Sequence, residues 1–349
     1  MPVHPVDKPL GSSSHDVVAR ARRLLGTRRV GHAGTLDPLA TGVLVLLSEE
    51  ATKLSPFLTA SDKEYLAWVA FGLGTPTLDA EPPEDEGALT RAAPDALAAL
   101  TRAGVATAAR TFLGLTEQRP PAFSAIKQGG TRSYAAARRG EATEPPARPV
   151  AYRSVEVLAF APRRGDLPHG FAPRRWDPPA GSAPGPADPT QGAKGAGRSA
   201  WRPSDAPGGR GFDLPPELAE LPCALVSVTV AAGTYVRSFA RDLGARLGVP
   251  AHLAGLVRVR AGKVDLADCS PLDAVSSATP LDPVALLPYP CAHLDDRAAT
   301  AVRQGKQVEL GLTGTTALVD GEGNLAAIVE PGPDGRVRYA RVWQRGMTP

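Results

Sequence analysis

The sequence predicts an α+β fold through residues 1–281, followed by a small all-β unit over 282–349. Three observations carry that expectation. The run Val43-Leu44-Val45-Leu46-Leu47 is short, branched and apolar, as a buried strand is. Strict alternation from Tyr65 to Phe71 gives another strand, while apolar residues recur at helical spacing in Val17–Leu25 and Val236–Leu247. Beyond Leu281 only short strand-like runs remain, separated by the turn sequences Asp320-Gly321-Glu322-Gly323-Asn324 and Pro331-Gly332-Pro333-Asp334-Gly335.

From the N-terminus, one of Ser12, Ser13 and Ser14 is expected to cap a helix with Asp16 in its first turn and Gly26 at its end. Arg20, Arg22 and Arg23 lie off its apolar stripe and read as a solvated face. Pro94 to Ala103 predicts a short helix with Leu97 and Leu100 inward, Phe112 to Gln118 a strand, and a further helix ends near Arg138-Arg139-Gly140. Val155, Val157 and Ala159 alternate on a strand, and Ala224 to Ala231 reads as a buried one. Between them, residues 162–216 hold twelve Pro and ten Gly in 55 positions without periodicity, the composition of a flexible insertion. Its Trp176 and Trp201 read as disordered with the rest. In the last unit, strands are expected at Gln307–Leu310, Ala317–Val319, Leu325–Val329 and Val337–Trp343.

Composition narrows the function classes. With 43% hydrophobic and 21% charged residues the chain is ordinary for a soluble globular protein, and 349 residues suffice for two domains. No apolar run reaches the roughly 20 residues needed to span a bilayer, and the first residues lack a signal peptide's pattern. Cys223, Cys269 and Cys291 form neither a disulfide framework nor a Cys-x-x-Cys pair, so they are expected to be buried and reduced. A cytoplasmic, metal-free monomer is the expectation. The net charge of +3 is matched by the insertion alone, which holds eight Lys/Arg against five Asp. Local clusters are more telling: residues 237–263 hold six basic residues and one acidic, whereas 79–95 hold six acidic and one basic. Basic faces near a site fit nucleic acid, although solvated helices would give the same pattern.

The densest group of special residues is Gly31-His32-Ala33-Gly34-Thr35-Leu36-Asp37-Pro38-Leu39-Ala40-Thr41-Gly42, which runs into the apolar strand. Its glycines permit close approach of a ligand, and Pro38 restricts Asp37 to an extended or turn conformation. Asp37 is therefore placed on a rigid loop feeding a central strand, a common position for a reactive group. An isolated Asp-Pro would read as a turn cap; the company it keeps here favours function.

This stretch resembles the signature loop of the bacterial tRNA pseudouridine-55 synthases, the TruB family, whose pattern Gly-His-x-Gly-x-Leu-Asp-Pro-x-Ala-Thr-Gly it matches at every fixed position. The resemblance extends to Lys8-Pro9-Leu10-Gly11, Glu50-Ala51-Thr52-Lys53, Asp62-Lys63-Glu64-Tyr65, Pro120–Lys127, Gly130–Tyr134, Gly233-Thr234-Tyr235-Val236-Arg237, Ala251-His252-Leu253 and Leu256-Val257-Arg258. Two positions depart from it: Glu49 replaces a glycine and Val257 an arginine.

The resemblance implies the pseudouridine synthase fold, a central mixed and mainly antiparallel sheet flanked by helices, with a PUA-like RNA-binding domain at 282–349. It implies isomerisation of uridine 55 in the T-loop of tRNA, by base flipping, with tRNA folding as a further role and no cofactor. The catalytic role falls on Asp37, with Arg237 as its partner and Tyr65 against the target base. His32 would fill the gap that the flipped base leaves. Lys8, Lys53, Lys127, Arg132, Tyr235, Leu256 and Arg258 would bind substrate or RNA, with Arg258 the one arginine left of its motif. The chemistry suits these residues, because exchanging an N-glycosidic for a C-glycosidic bond requires a carboxylate facing the sugar and no outside atom. Two other classes compete: an RNA-binding or RNA-folding protein without catalysis, and a glycosidase-like hydrolase. The second usually needs another carboxylate nearby, and none shares the loop.

Overall fold

The computed structural model describes residues 1–80, 89–123, 145–163, 166–167, 220–332 and 336–344, and the backbone of 127–128 and 131–132. Most of the 162–216 insertion with Trp176 and Trp201, residues 81–88 of the acidic stretch, the helix expected near Arg138-Arg139-Gly140, and the side chains of Lys127 and Arg132 lie outside the described residues.

One large sheet organises the body. Its main strands are β1 (Val3–Lys8), β2 (Val30–Ala33), β3 (Ala40–Ser48), β4 (Lys63–Phe71), β5 (Tyr152–Ala161), β6 (Cys223–Val230) and β7 (Ala251–Ala261). They lie in the order β5-β6-β4-β7-β3-β1, with β2 also on β3 and the short strand Ser270–Pro271 beyond β1. Most neighbours are antiparallel; β7 runs parallel to β3, and Ser270–Pro271 parallel to β1.

Both faces of β3 are buried, which is why its sequence is continuously apolar and does not alternate. Leu44 and Leu46 face a core shared with α1 (Ser14–Leu24), α2 (Arg102–Arg110) and α3 (Val236–Arg246). Val43, Val45 and Leu47 face the opposite side, where the C-terminal unit packs. α1 begins as its sequence announces: Ser13 and Asp16 form a reciprocal capping box, and Gly26 sits beyond its end at φ 65°.

Several elements differ from the sequence reading. The helix expected over Pro94–Ala103 stops at Ala98; α2 then starts afresh, its N-cap Thr101 accepting a bond from the Gly104 amide at 3.1 Å. Residues 112–118 are mostly not strand, because Phe112 turns inward to pack against Tyr152 and Phe239, leaving only Glu117–Gln118 paired, with Arg148–Pro149. Cys223 and Cys269 are buried, but Cys291 is exposed.

The C-terminal unit is a four-stranded sheet of β8 (Cys291–His293), β9 (Thr316–Val319), β10 (Leu325–Pro331) and β11 (Val337–Val342). One strand expected in it fails: Gln307–Leu310 makes only an isolated bridge, from Glu309 to Arg336. The β unit also carries a helix on its sheet, α4 (Asp296–Arg303). Asp295 caps that helix, and Ala299 and Val302 carry its short apolar face into the sheet. Among the described residues no helix is long and apolar enough to cross a membrane.

The two units share one core. Leu286, Leu287, Ala317, Val319, Leu325, Ile328 and Trp343 pack with Val43, Val45, Leu47 and Val257 of the large sheet, and the Trp343 indole donates to the Glu50 carbonyl at 3.1 Å. Trp343→Ala is therefore expected to cost about 3–5 kcal/mol of stability, the range for deleting a buried aromatic. Urea unfolding measures it, and a loss near zero would mean that the C-terminal sheet is only loosely seated.

Candidate active site

β2 and β3 form an antiparallel hairpin whose legs separate at residues 34–39, where β7 takes over pairing with the start of β3. Into that opening β7 sends Arg258. Its Nε donates to the Val43 carbonyl at 2.7 Å, and its terminal nitrogens donate to Gly34 at 3.0 Å and Thr35 at 3.4 Å, so one guanidinium ties both legs of the loop. Gly42 lies at φ 93°, and a Cβ there would stand 2.3 Å from the Arg258 carbonyl oxygen. Only glycine fits. From the other side, the Ser14 hydroxyl accepts from the Leu36 amide at 2.8 Å and donates to the Leu36 carbonyl at 3.0 Å, while the Gly11 amide donates to Pro38 at 2.9 Å. Asp37 is thus fixed through both of its chain neighbours.

Arg237, in the first turn of α3, meets it. Its Nε stands 2.9 Å from one Asp37 carboxylate oxygen, and a terminal nitrogen donates to the other at 3.3 Å. The remaining donors go to the carbonyls of Thr77 and Phe123, each at 2.9 Å. The Arg237 side chain is 8% exposed and that of Asp37 38%, so the cation lies behind a carboxylate that opens outward. A planar fork held by three hydrogen bonds and a further ion contact is a task for arginine that lysine cannot perform.

The other expected residues divide into two groups. His32 lies on β2, Tyr65 on β4 opposite Arg258, Leu256 on β7, and Tyr235 at the N-cap of α3. His32 is held toward its neutral form, mainly by burial and secondarily by the charges of His15 and Arg258. Direct RNA contact has to be withdrawn for Lys8 and Arg258. Arg258 is 1% exposed with its donors spent on the loop, and Lys8 is fully buried, donating to the carbonyls of Pro9 and Ser12. Leu256 is likewise buried. Lys53 is only partly exposed and is paired with Glu50. Val257, at the motif's missing arginine, points into the core shared with the C-terminal unit, so the substitution exchanges a cation for packing.

Four residues near the site were not singled out by the sequence. Asp79 is a second carboxylate, 3.7 Å from Arg237 on its far side and 4% exposed. It follows Leu78, whose φ of 62° is rare for a branched side chain. Lys63 is buried beside Gly34, and its ammonium is brought down to about 8, first by desolvation and then by Arg258. His15, exposed on α1, sets its ring edge-on to His32 with centroids 5.9 Å apart. Gln118 is buried and grips the backbone at Tyr235. Lys63 stands in the motif Asp62–Tyr65, but nothing there marks it as buried beside the loop, and a buried Asp such as Asp79 has no signature in composition.

Residues 22–168 match the family described as TruB family pseudouridylate synthase, N-terminal domain. A Deinococcus deserti protein named tRNA pseudouridine synthase B is 42% identical over 343 residues, covering 98% of this chain and all of that protein. A Thermus thermophilus protein of the same name is 43% identical over 345 residues, with 99% of each chain covered. Among solved structures, the archaeal box H/ACA sRNP Nop10–Cbf5 complex aligns with 99% of this chain and 86% of its own at a TM-score of 0.57. At 20% identity that likeness concerns the fold.

Burial of Lys8 sets a pH dependence. Desolvation pushes its ammonium from 10.5 down to about 7, with Asp37 opposing and Arg258 assisting. Unfolded, the lysine keeps its proton to its ordinary value, so between about 7 and 10 the unfolded chain binds the extra proton and stability rises with pH. The stability of the wild type minus that of Lys8→Met should therefore grow by about 1 kcal/mol per unit between pH 7.5 and 9. Urea unfolding at stepped pH measures the difference, and a flat one would show that the buried amine keeps its proton.

Proposed function

The chain belongs to the TruB family of pseudouridine synthases, and from that premise we propose that it isomerises uridine 55 in the T-loop of tRNA to pseudouridine, with Asp37 as the catalytic carboxylate. The observation that carries this reading is the two-point pairing of Asp37 with Arg237, joining the signature loop to a helix 200 residues later in the chain. A buried guanidinium behind an outward-facing carboxylate holds that carboxylate aimed outward, where it is free to meet a sugar.

The reaction breaks the N1–C1′ bond, turns the uracil and joins C5 to C1′. The C5 proton leaves, N1 gains one, and the mass is unchanged. No redox equivalent or phosphate is consumed, so the protein's own groups suffice. The target base must first leave its stack, which a loop nucleotide does at least cost. Tyr65 would stack on the detached base, worth roughly 1–3 kcal/mol, and would take the C5 proton. His32, neutral and flat, would occupy the space the base vacates. The catalytic domain is 1–281, where Lys127 and Arg132 would contact phosphates and Lys53 would bind RNA; the domain 282–349 is the PUA-like RNA-binding part that holds the T-arm. Binding of that kind also assists tRNA folding.

The hydrolase alternative gains little from Asp79. That second carboxylate exists, but its side chain is only 4% exposed and lies 3.7 Å from Arg237, so it is enclosed where Asp37 is open. Free uracil in the reaction would favour hydrolysis; retained mass excludes it.

Asp37→Asn keeps the shape without the charge, so pseudouridine formation in tRNA should fall more than a hundredfold while tRNA binding persists. Turnover within tenfold of wild type would remove Asp37 from the chemistry. Arg237→Met should lower the single-turnover rate at saturating enzyme at least tenfold, with Arg237→Lys less impaired. If Arg237 were instead a phosphate contact, binding would weaken, its salt slope would become shallower by about 0.7–0.9, and the saturated rate would stay normal.

A further inference from the structure

The first turn of α3 carries Arg237, yet its N-cap Tyr235 offers no side-chain cap of its own. The missing partner is a buried amide from far upstream. The Gln118 Oε1 accepts from the Tyr235 backbone amide at 2.9 Å, and its Nε2 donates to the Tyr235 carbonyl at 3.2 Å and to the Tyr152 hydroxyl at 2.8 Å. One side chain thus holds both polar groups of a single residue, as a neighbouring strand would. The Tyr235 carbonyl also accepts the α3 bond from the Phe239 amide at 3.1 Å, so Gln118 fixes where the helix starts, two residues before Arg237.

The residues after Gln118 continue the seam. The Arg119 carbonyl accepts from the Ser238 hydroxyl at 2.9 Å and from Arg241 at 3.0 Å, and the Phe123 carbonyl accepts from Arg237 itself. Behind Gln118, Tyr152 is locked in the aromatic group of Phe112 and Phe239. The amide is therefore pinned at its back and cannot follow a shift of the helix.

We propose that Gln118 is a positioning residue for the isomerisation: it sets the start of α3 and thereby the guanidinium of Arg237 against Asp37. The role rests on the catalytic reading of Asp37 and Arg237. It requires no contact between Gln118 and substrate, and it gives a reason why a polar side chain occupies a site that an apolar one could fill.

Gln118→Met has nearly the same shape and none of the hydrogen bonds. With tRNA as substrate, its single-turnover rate at saturating enzyme should fall at least tenfold while the tRNA dissociation constant stays within about twofold. In an Arg237→Met background the same change should slow the reaction less than twofold, because residues that act through one group do not add. A purely structural glutamine would lower the melting temperature and leave the saturated rate of the folded enzyme within twofold of wild type, which overturns the proposal. Equal slowing in both backgrounds overturns it too. Should Gln118→Met fail to fold, Gln118→Glu keeps the acceptor for the Tyr235 amide and loses the donor, and it is judged by the same two rates. Failure of both to fold makes Gln118 a folding residue only. A wild type that forms no pseudouridine in tRNA removes the functional reading itself; an active wild type with an unimpaired Gln118→Met removes only the role of Gln118.

Discussion

A buried guanidinium lies at the base of this site. Arg258 occupies the opening between the two legs of the Asp37 loop, and its bonds to Gly34, Thr35 and Val43 keep those legs apart at a fixed spacing. Burying a charge is costly unless its donors are satisfied, and backbone carbonyls supply the satisfaction without adding an opposite charge. The cation therefore remains felt around it. Lys8 and Lys63 are buried within its reach, and both lose proton affinity partly because Arg258 is there. Asp37 projects from a loop underlain by the Arg258 guanidinium and is met directly by a second one, that of Arg237.

Arg237 approaches from the opposite side, and the structure accepts strain to receive it. The turn that ends at Asp79 places Leu78 at φ 62°, and the Thr75 hydroxyl bonds the Asp79 carbonyl at 2.7 Å to close it. That turn presents the Thr77 carbonyl and the Asp79 carboxylate to one side of the guanidinium. Strained backbone of this kind costs on the order of 1–3 kcal/mol and persists where surrounding contacts over-determine it. Here those contacts include the β7 pairing, since the Leu253 amide donates to the Leu78 carbonyl at 2.9 Å.

What the sequence could disclose follows from these facts. The strands and amphipathic helices were legible because each buries a regular face, and Asp37 and Arg237 because they stand in long motifs. Gln118, Asp79 and Lys63 owe their positions to partners far away in the chain, and local pattern is blind to such pairs. Arg258 was legible as a motif residue and misjudged as an RNA contact, since an arginine on an otherwise apolar strand gives no sign of which way it turns. Phe112 misled for a related reason. Its run of apolar and polar residues resembles a strand, but its ring is drawn into the space between Tyr152 and Phe239, and Arg246 then covers it at 3.9 Å.

Glu49 shows how a departure from a motif is accommodated. It stands where the family pattern has glycine, and its φ of 50° explains that pattern, because the chain leaves β3 through a left-handed residue. A side chain there costs about 1–2 kcal/mol. The glutamate offsets part of this cost with contacts a glycine cannot make: its carboxylate bonds the Thr27 hydroxyl and lies 3.5 Å from Arg29. The next residue extends the arrangement, since Glu50 pairs with Arg29 at 2.6 Å and its carbonyl accepts the Trp343 indole. The turn that follows β3 is thus tied to the segment after α1 through Glu49 and Glu50, and to the C-terminal sheet through Glu50. A left-handed position usually filled for its freedom has become, in this chain, an anchor for the turn from which Glu50 reaches the C-terminal unit.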